Sequence, residues 1–327
     1  MLPIAVDAMG GDKGPGEVVA GARQAAAELG VPILLVGDPD AIGDPGDLEV
    51  LAASEVIAMD EDAGAGIRRK KDSSVVRAAE SVREGRASAM VSAGNTGAAM
   101  GSALLRMGRL PGVSRPAIAT PIPVPGSTPT VLLDAGANVE CHPAWLMQFA
   151  QMGAAYFTRR YRVEAPRVGL LSIGEEPGKG SPLVKEAHAL LAAGDSASLG
   201  GKFIGNVEGR DLMSDRVDVV VTDGFTGNIA LKALEGAATV MRDAVFGVLM
   251  STEEAVKASE VLLPLLAPLA TEMDPDTYGG ALLLGVDGVC IISHGSSSTS
   301  AVVNAVRVAR DMVGNELVER LRQAIKS

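Results

Sequence analysis

The chain has 327 residues, 40 of them acidic and 29 basic, so its formal net charge at neutral pH is −11. This length is enough for one large domain, or two interleaved domains, with a sizeable core. The acidic balance argues against a general nucleic-acid-binding protein, which would normally be basic. Two cysteines far apart in sequence, Cys141 and Cys290, indicate neither a disulfide framework nor a Cys-x-x-Cys site.

The N-terminus and the apolar runs predict a cytosolic protein. The first residues include no basic leader, and Asp7 interrupts their apolar run early, which is not typical of a signal peptide. No run approaches the roughly 20 apolar residues that span a bilayer. We therefore expect a soluble chain, and this expectation leaves association with a membrane surface open.

Strands and helices are predicted to alternate from the start of the chain. The first unit has a strand at Ile4–Val6, a polar turn over Asp7–Asp12 and a helix from Pro15, a residue favoured in the first helical turn. A second strand is predicted at Ile33–Val36, and a short one around Val56–Ile57.

Later strands repeat the pattern of an apolar strand, a polar turn and a helix. They are predicted at Ala89–Val91, Thr130–Leu133, Val168–Leu171, Val219–Val221 and Val289–Ile292. The helix after the fourth of these is expected to stop at Gly236, and Asp311–Ser327 is expected to form an amphipathic packing helix.

This alternation predicts an α/β fold, a three-layer α/β/α sandwich whose mostly parallel sheet has helices on both faces. In such a sheet the turns that follow the strands share one edge, where ligands bind, so distant polar turns converge there. No linker marks a domain boundary, and we expect one catalytic unit over residues 1–327.

The turn at Thr222–Asn228 illustrates the chemistry of these units. A strand that ends in Gly, Thr and Asn residues and then opens a helix presents free backbone N–H groups, which suit an anion such as phosphate. For one such turn alone, a well-capped helix after a core strand is the favoured explanation. The prediction of a phosphate site therefore depends on the recurrence of the unit.

One segment departs from the α/β pattern. Residues Glu253–Met273 contain the apolar run Val261–Leu269, in which Pro264 and Pro268 argue against one straight helix. We expect a protruding helical hairpin with an apolar tip. The run is either buried in the core or at a dimer contact, or it forms a surface for a membrane or an acyl chain.

Motifs for cofactors and for covalent catalysis are absent from the sequence. There is no Gly-x-Gly-x-x-Gly fingerprint, P-loop or Gly-x-Ser-x-Gly elbow, and His142, His188 and His294 lack metal-ligand spacing. We expect no metal and no cofactor. Cys290 lies in an apolar strand and should be inert, and Cys141, beside a helix start, is either a nucleophile or structural.

The remaining polar groups are backbone N–H groups, Ser, Thr and Asn side chains and a few lysines. Such groups can hold a phosphate and stabilise an oxyanion without a nucleophile from the protein.

Seven blocks in order resemble the bacterial phosphate acyltransferases of phospholipid synthesis, the acyl-acyl-carrier-protein:phosphate acyltransferase family. The resemblance runs from Ile4 to about Val308, and its weakest parts are Cys141–Pro143 and Glu175–Ser181. The blocks are IAVDAMGGD (Ile4–Asp12), IRRKKDSS (Ile67–Ser74), SAGNTGA (Ser92–Ala98), DAGAN (Asp134–Asn138), FIGNVEGRD (Phe203–Asp211), VVTDGFTGN (Val220–Asn228) and HGSSS (His294–Ser298).

The resemblance implies transfer of a fatty acyl group from acyl carrier protein to inorganic phosphate, which gives acyl phosphate. It also implies that the protein is a homodimer with an isocitrate/isopropylmalate dehydrogenase-like fold. Each chain is then expected to consist of two intertwined subdomains. A peripheral membrane position is implied as well, because the product feeds a membrane glycerol-3-phosphate acyltransferase that makes lysophosphatidic acid.

Within this reading we expect phosphate to attack the thioester directly, without a covalent enzyme intermediate. Lys185 and Asn228 are expected to stabilise charge at the reacting centre, although Lys185 is equally well explained as a solvated helix lysine. Asp7 and Asp223 are expected to orient turns. The expected phosphate- and substrate-binding residues are Gly10, Gly11, Asp12, Asn95, Thr96, Asn138, Thr226, Gly227, His294 and Ser296.

Because acyl carrier protein is acidic and this chain is acidic too, docking of the carrier requires a local basic patch on this chain. The densest candidate is Arg68, Arg69, Lys70 and Lys71, followed by Arg159–Arg162, although a charge run is often only a solvated face.

Three other functions remain open. One is a phosphotransacetylase that acts on acyl-coenzyme A. The second is a decarboxylating dehydrogenase of the same fold, for which neither a metal-binding aspartate cluster nor a nucleotide site is found. The third is a non-catalytic scaffold at the membrane.

Overall fold

The computed structural model describes residues 1–326, which contain eleven strands and twelve α-helices. The strands are β1 (Ile4–Asp7), β2 (Ile33–Gly37), β3 (Glu49–Ala52), β4 (Ala89–Ser92), β5 (Ala117–Ile122), β6 (Thr130–Leu133), β7 (Arg167–Leu171), β8 (Lys202–Val207), β9 (Val219–Val221), β10 (Ala281–Leu284) and β11 (Val289–Ile292). The helices are α1 (Pro15–Leu29), α2 (Pro39–Ile42), α3 (Ala63–Arg69), α4 (Ser74–Arg83), α5 (Thr96–Ser102), α6 (Pro143–Tyr161), α7 (Pro182–Ala193), α8 (Ser196–Leu199), α9 (Gly224–Leu249), α10 (Glu253–Met273), α11 (Thr299–Gly314) and α12 (Leu317–Lys326).

All eleven strands form one sheet in the order β3-β2-β1-β4-β11-β10-β5-β6-β9-β7-β8. Successive residues of a strand point to opposite faces, so Val131 and Leu133 pack in one core and Leu132 packs in the other. Helices α1, α6, α11 and α12 contribute to the first core, and α3, α4 and α5 to the second. The predicted three-layer α/β/α sandwich with a mostly parallel sheet is confirmed.

The strands do not all run in one direction. Strand β10 is antiparallel to both β11 and β5, and β5 is antiparallel to β6. These three reversals make β6, β9, β7 and β8 run opposite to β3, β2, β1, β4 and β11. The carboxyl ends of the two halves therefore lie at opposite edges of the sheet, and the expectation that all polar turns share one edge is wrong.

Four strands lie outside the predicted pattern, and one predicted strand is wrong. The additional strands are β3, β5, β8 and β10. The segment Val56–Ile57 is not a strand, and next to it only Glu55 forms an isolated bridge, to Ser73. Ile57 is apolar because it is buried against Gly66 of α3 rather than paired in the sheet.

The helix predicted to stop at Gly236 continues to Leu249. A glycine lowers the stability of an exposed helix by about 1 kcal/mol relative to alanine, and this loss is too small to end a helix of this length. Near the C-terminus, the predicted single helix Asp311–Ser327 is instead the end of α11 followed by α12, and Ser327 lies outside the described residues.

The helical hairpin also differs from its prediction. Residues Glu253–Met273 form one helix that contains both Pro264 and Pro268, and they are one arm of a hairpin whose other arm is α9. Proline removes one hydrogen bond and disturbs the helix locally without having to end it. Few residues of either arm are buried: Gly224 and Gly227 at the start of α9, and Ser259 in α10.

Two glycines of α9 provide a matched test of this geometry. A Cβ at Gly227 would lie 2.0 Å from the carbonyl oxygen of Asp134, whereas a Cβ at Gly236 would have nothing within 4 Å. We expect Gly227→Ala to lower the free energy of unfolding by at least about 2 kcal/mol, because the backbone must move. Gly236→Ala should raise it by about 0.5–1 kcal/mol.

Urea unfolding of the two variants and the parent at one protein concentration measures both effects. Destabilisation by Gly236→Ala would contradict a continuous α9.

Candidate functional site

The turns after β1, β4 and β11 pack against one another at the first edge of the sheet. A Cβ at Gly10 would lie 2.6 Å from the backbone nitrogen of Gly94, and one at Gly11 would lie 3.3 Å from the carbonyl oxygen of Gly295. The N–H of Asp12 donates to that same carbonyl at 2.7 Å. We call these three turns the glycine cluster, since only glycine permits this close backbone approach.

Two polar side chains hold the glycine cluster in place. The buried carboxylate of Asp7 accepts hydrogen bonds from Ser92 Oγ at 2.7 Å and from the N–H of Met9 at 3.2 Å. Burial raises the pKa of Asp7, and these hydrogen bonds oppose the rise. The predicted role of Asp7 in orienting a turn is confirmed.

The side chain of Asn95 is fully engaged. Its Oδ1 accepts from the N–H of Ala98 and caps α5, and its Nδ2 donates to the carbonyls of Ala58, Met59 and Glu61. Asn95 therefore positions a loop, which leaves this amide no donor for a substrate.

Three further predicted residues lie exposed at the same edge: Thr96, His294 and Ser296. His294 Nδ1 lies 2.7 Å from Ser296 Oγ and accepts from the N–H of Ser296 at 3.3 Å. With Nδ1 as an acceptor, the neutral imidazole carries its proton on Nε2.

A second set of polar turns lies at the opposite edge, after β6 and β9. Its centre is the buried carboxylate of Asp134, which accepts from the N–H groups of Ile118, Gly136, Ala137 and Asn138 at 2.7–3.1 Å. The side-chain amide of Asn138 donates a fifth hydrogen bond at 2.9 Å. Burial raises the pKa of Asp134, and these donors favour the charged form.

The start of α9 packs on this loop, and the N–H groups of Gly224, Thr226 and Gly227 already have acceptors. Asp223 caps the helix by accepting from the N–H and the hydroxyl of Thr226, each at 2.8 Å, which confirms its predicted role in orienting a turn. The N–H of Gly224 donates to the carbonyl of Asn138 at 2.7 Å. An anion therefore finds fewer free donors at this helix start than the sequence suggests. We call the residues Asp134–Asn138 and Asp223–Asn228 the Asp134 cluster.

Asn228 and Lys185 lie at this same edge. Asn228 is exposed, a Cβ at Gly136 would lie 3.6 Å from its side chain, and its amide has no hydrogen-bond partner within residues 1–326. Lys185 is exposed on α7, which follows β7, the neighbour of β9 in the sheet. In the part of the chain that the structure describes, its ammonium forms no ion pair. Both side chains are therefore available to a ligand.

Two adjoining cavities open beside the Asp134 cluster, of about 690 Å³ and 380 Å³. The smaller is lined by the loop from Ala137 to His142, and Arg115 and Trp145 line both. The Arg115 guanidinium lies 5.1 Å from the centre of the Trp145 ring. Sequence reasoning did not select Arg115 or Trp145, although Trp145 is the chain's single tryptophan.

Cys141 lines the smaller cavity, but its thiol is not activated. Burial, and then the negative charge of Asp134, raises the pKa of Cys141 to about 12. At neutral pH the thiol is therefore protonated and a poor nucleophile. Cys290 is fully buried in β11, and burial raises the pKa of its thiol to about 12 as well.

The predicted docking residues belong to α3 and the turn that follows it. Lys70 is engaged, since its ammonium contacts Glu61 and the carbonyl of Val56. Arg68, Arg69 and Lys71 are exposed and form no ion pair to the residues described. The second basic segment is partly used, because Arg160 pairs with Asp311 at 3.5 Å.

The predicted site residues thus fall into two groups. Within each group the turns contact one another directly, whereas the strand directions place the two groups at opposite edges. Near the first edge lie Gly10, Gly11, Asp12, Asn95, Thr96, His294 and Ser296, and near the second lie Asn138, Lys185, Thr226, Gly227 and Asn228.

Comparison with known proteins gives one family. Residues 2–320 match a family model described as "Fatty acid synthesis protein". The chain is 48% identical to the phosphate acyltransferase of Elusimicrobium minutum (strain Pei191), over 99% of this chain and 96% of that protein. It is 46% identical to the phosphate acyltransferase of Nostoc punctiforme, over 98% of this chain and 95% of that one.

Solved structures of low sequence identity share the fold. A phosphotransacetylase from Streptococcus pyogenes aligns with a TM-score of 0.62 at 16% identity, over 100% of this chain and 94% of that one. A 4-hydroxythreonine-4-phosphate dehydrogenase from Klebsiella pneumoniae aligns with a TM-score of 0.54 at 14% identity, over 96% and 100%. At these identities the likeness concerns the fold alone.

Proposed function

This chain belongs to the fatty acid synthesis protein family, and from that membership we propose that it moves a fatty acyl group from acyl carrier protein to inorganic phosphate. Its curated relatives are named phosphate acyltransferases, so the enzyme class and acyl transfer to phosphate follow from the family. The acyl carrier protein as donor, the residues and the mechanism are our proposals.

The proposed mechanism is supported by one observation: unpartnered polar side chains and an unreactive cysteine thiol occur at the same edge of the sheet, at and beside the Asp134 cluster. Asn228 and Lys185 have no partners among residues 1–326, and a cavity lined by residues from Asn138 to Cys141 opens beside the Asp134 cluster, to which Asn228 belongs. Cys141, the nucleophile candidate in that cavity, is held protonated. We therefore place the reaction at this cluster.

In the proposed reaction a phosphate oxygen attacks the thioester carbonyl carbon, and the tetrahedral oxyanion collapses with loss of the carrier thiol. Phosphate is already a nucleophile at neutral pH, so positioning and charge stabilisation supply the catalysis. The Asn228 amide donates a hydrogen bond to the oxyanion, and Lys185 supplies positive charge beside the phosphate. The proposed binding roles of Gly10, Gly11, Asp12, Thr96, His294 and Ser296 remain predictions.

The test of function compares two acyl donors. Purified enzyme is incubated with labelled inorganic phosphate and either palmitoyl-acyl carrier protein or palmitoyl-coenzyme A, and hydroxylamine-sensitive acyl phosphate is measured. We expect product from the carrier-bound donor only. Product from coenzyme A would assign a phosphotransacetylase, and no product from either donor would favour the scaffold.

The mechanism predicts opposite outcomes for substitutions of Asn228 and Cys141. Asn228→Ala should lower kcat about 10²- to 10³-fold, as loss of one oxyanion donor does, with little change in melting temperature. Cys141→Ala should retain activity within about threefold, because a protonated thiol takes no part. Loss of turnover in Cys141→Ala at an unchanged melting temperature would indicate an acyl-enzyme intermediate, and normal turnover in Asn228→Ala would exclude this amide from catalysis.

We propose that the acidic carrier docks on α3. Arg68, Arg69 and Lys71 are exposed there without ion pairs in the described chain, and such charges speed and orient an encounter. Helix α3 packs against α5 in the half of the sheet that ends in the glycine cluster, so the acyl arm must extend from there to the Asp134 cluster.

Charge reversal tests this surface. Arg68→Glu with Arg69→Glu should raise KM for palmitoyl-acyl carrier protein about tenfold or more and leave kcat nearly unchanged, with a smaller effect in high salt. The matched control reverses two other exposed arginines, Arg83→Glu with Arg86→Glu. Equal KM values for the two double variants would exclude α3 as the docking site.

We further propose a homodimer that is cytoplasmic and peripherally bound to the membrane, where a glycerol-3-phosphate acyltransferase consumes the product. The support is the hairpin of α9 and α10, whose exposed apolar side chains include Val240, Met241, Val261 and Leu265, each at least 66% exposed. No helix among the described residues has the length and apolar character needed to cross a bilayer.

Vesicle flotation tests the membrane half of this proposal. Leu265→Glu with Leu266→Glu should reduce the fraction that floats with phospholipid vesicles several-fold, because both side chains are exposed and apolar. The control variant Ala189→Glu with Leu190→Glu also introduces two glutamates, on the exposed face of α7, and should float normally. Unchanged flotation of the hairpin variant refutes membrane binding through this surface, and sedimentation of the same samples reports the dimer.

A further inference from the structure

The two cavities beside the Asp134 cluster adjoin each other, and the proposed reaction does not yet use them. They share Arg115 and Trp145, and the larger one extends to Leu104, Leu105 and Arg109. The smaller cavity is therefore lined mainly by a polar loop, and the larger one adds the apolar side chains of Leu104 and Leu105. A cavity of this size and mixed lining is the usual form of a small-molecule site.

The cation of this feature is Arg115. It is exposed and stacks on Trp145, and within residues 1–326 it forms no ion pair or hydrogen bond. The neighbouring Arg109 differs, because it donates to the carbonyl of Ser114. Arg115 is thus a guanidinium free to bind an anion, in a position fixed by the indole ring and by the buried Pro116 that follows it.

The apolar end is formed by an irregular helical segment. Residues Ala103–Met107 form a π-helical turn after α5, and this turn places both Leu104 and Leu105 at the cavity. Leu105 is 60% exposed, so most of its apolar surface is not buried by other residues of the chain. Such π-helical turns are frequent at functional sites. At the other cavity, Val139 is likewise 67% exposed.

We propose that this double cavity binds the acyl phosphate product, with its phosphoryl group on Arg115 and its acyl chain along Leu104, Leu105 and Trp145. The proposal rests on the proposed function, since it names the part of the site that holds the two ends of the product. Charge complementarity selects the occupant, because a free guanidinium and an adjoining apolar wall match an amphiphile with an anionic head. The phosphopantetheine arm also has a phosphate, but its phosphate is a diester.

The position of Arg115 gives it a role in substrate binding. Pro116, the next residue, accepts a hydrogen bond from the side chain of Asn138, and β5 follows directly. The loop that carries Arg115 is therefore tied to the Asp134 cluster, within which Asn228 lies against Gly136. Arg115 can hold phosphate oxygens while Asn228 faces the carbonyl that is attacked.

Stable alkyl phosphates test binding without turnover. Trp145 is the only tryptophan of the chain, so its fluorescence reports the cavity directly, and calorimetry provides an independent measure. Across hexyl, decyl and tetradecyl phosphate we expect the affinity to rise by up to about fourfold per methylene that becomes buried. Inorganic phosphate should compete, and a dialkyl phosphate should bind more weakly, which distinguishes a monoester head from the phosphopantetheine diester.

Two variants separate the ends of the site. Arg115→Gln should weaken decyl phosphate about tenfold or more and raise KM for phosphate, because a charged hydrogen-bond partner is lost. Leu105→Asn should weaken decyl phosphate and leave competition by inorganic phosphate unchanged. Arg83→Gln removes an exposed arginine outside the cavity and should bind as the parent does.

The outcomes distinguish this inference from the proposed function. If the enzyme makes acyl phosphate but Arg115→Gln keeps the parental KM for phosphate and the parental affinity for decyl phosphate, the inference is wrong and the function stands. If alkyl phosphates bind with the expected dependence on Arg115 and chain length but no donor is turned over, the site stands and the function fails. Absence of alkyl phosphate binding to the parent overturns the inference.

Discussion

The buried carboxylate of Asp134 ties together the parts of the second half of the sheet. Its hydrogen bonds reach Ile118 at the start of β5 and the loop that follows β6. The carbonyl of the same residue approaches Gly227 so closely that no side chain fits there. A buried charge is costly unless it is fully hydrogen-bonded, and five N–H donors meet that requirement here. Strand β5, the loop and the start of α9 therefore keep a fixed arrangement.

This arrangement leaves few polar groups free, and that scarcity gives the site its chemistry. Asn95, Asn138 and Thr226 are the polar side chains that a sequence reader selects first, yet each is engaged in holding a turn. Among the residues described, the free groups of the Asp134 cluster are Asn228, with Lys185 and Arg115 at the same edge. A rigid frame with a few unpaired donors is the form that electrostatic catalysis requires, since the donors need no reorganisation.

The sequence predicts most of the strands but not their directions. Strands such as β6 and β9 are short apolar runs that end at a polar turn, which begins with Asp134 after β6 and with Thr222 after β9, and local reasoning identifies this pattern. Strand β5 is interrupted by Pro121, and β10 directly follows two glycines, so neither matches that pattern. Once β10 is known, its four-residue connection to β11 requires an antiparallel pair, because a parallel crossover needs a dozen or more residues. The division into two edges follows from these two strands.

The same two strands explain why the cavity residues escape sequence analysis. Arg115 lies two residues before the start of β5. It reaches the Asp134 cluster only because the antiparallel pairing of β5 with β6 brings Ala119 opposite Leu133. The register of a strand pair depends on both strands, so it cannot be inferred from the sequence of either strand alone. Asn228 follows its own strand in sequence, and so its place at the edge can be inferred locally. A residue that reaches the site from the amino end of a neighbouring strand can be identified only from the three-dimensional structure. Arg115, whose free guanidinium lines the cavity, is such a residue.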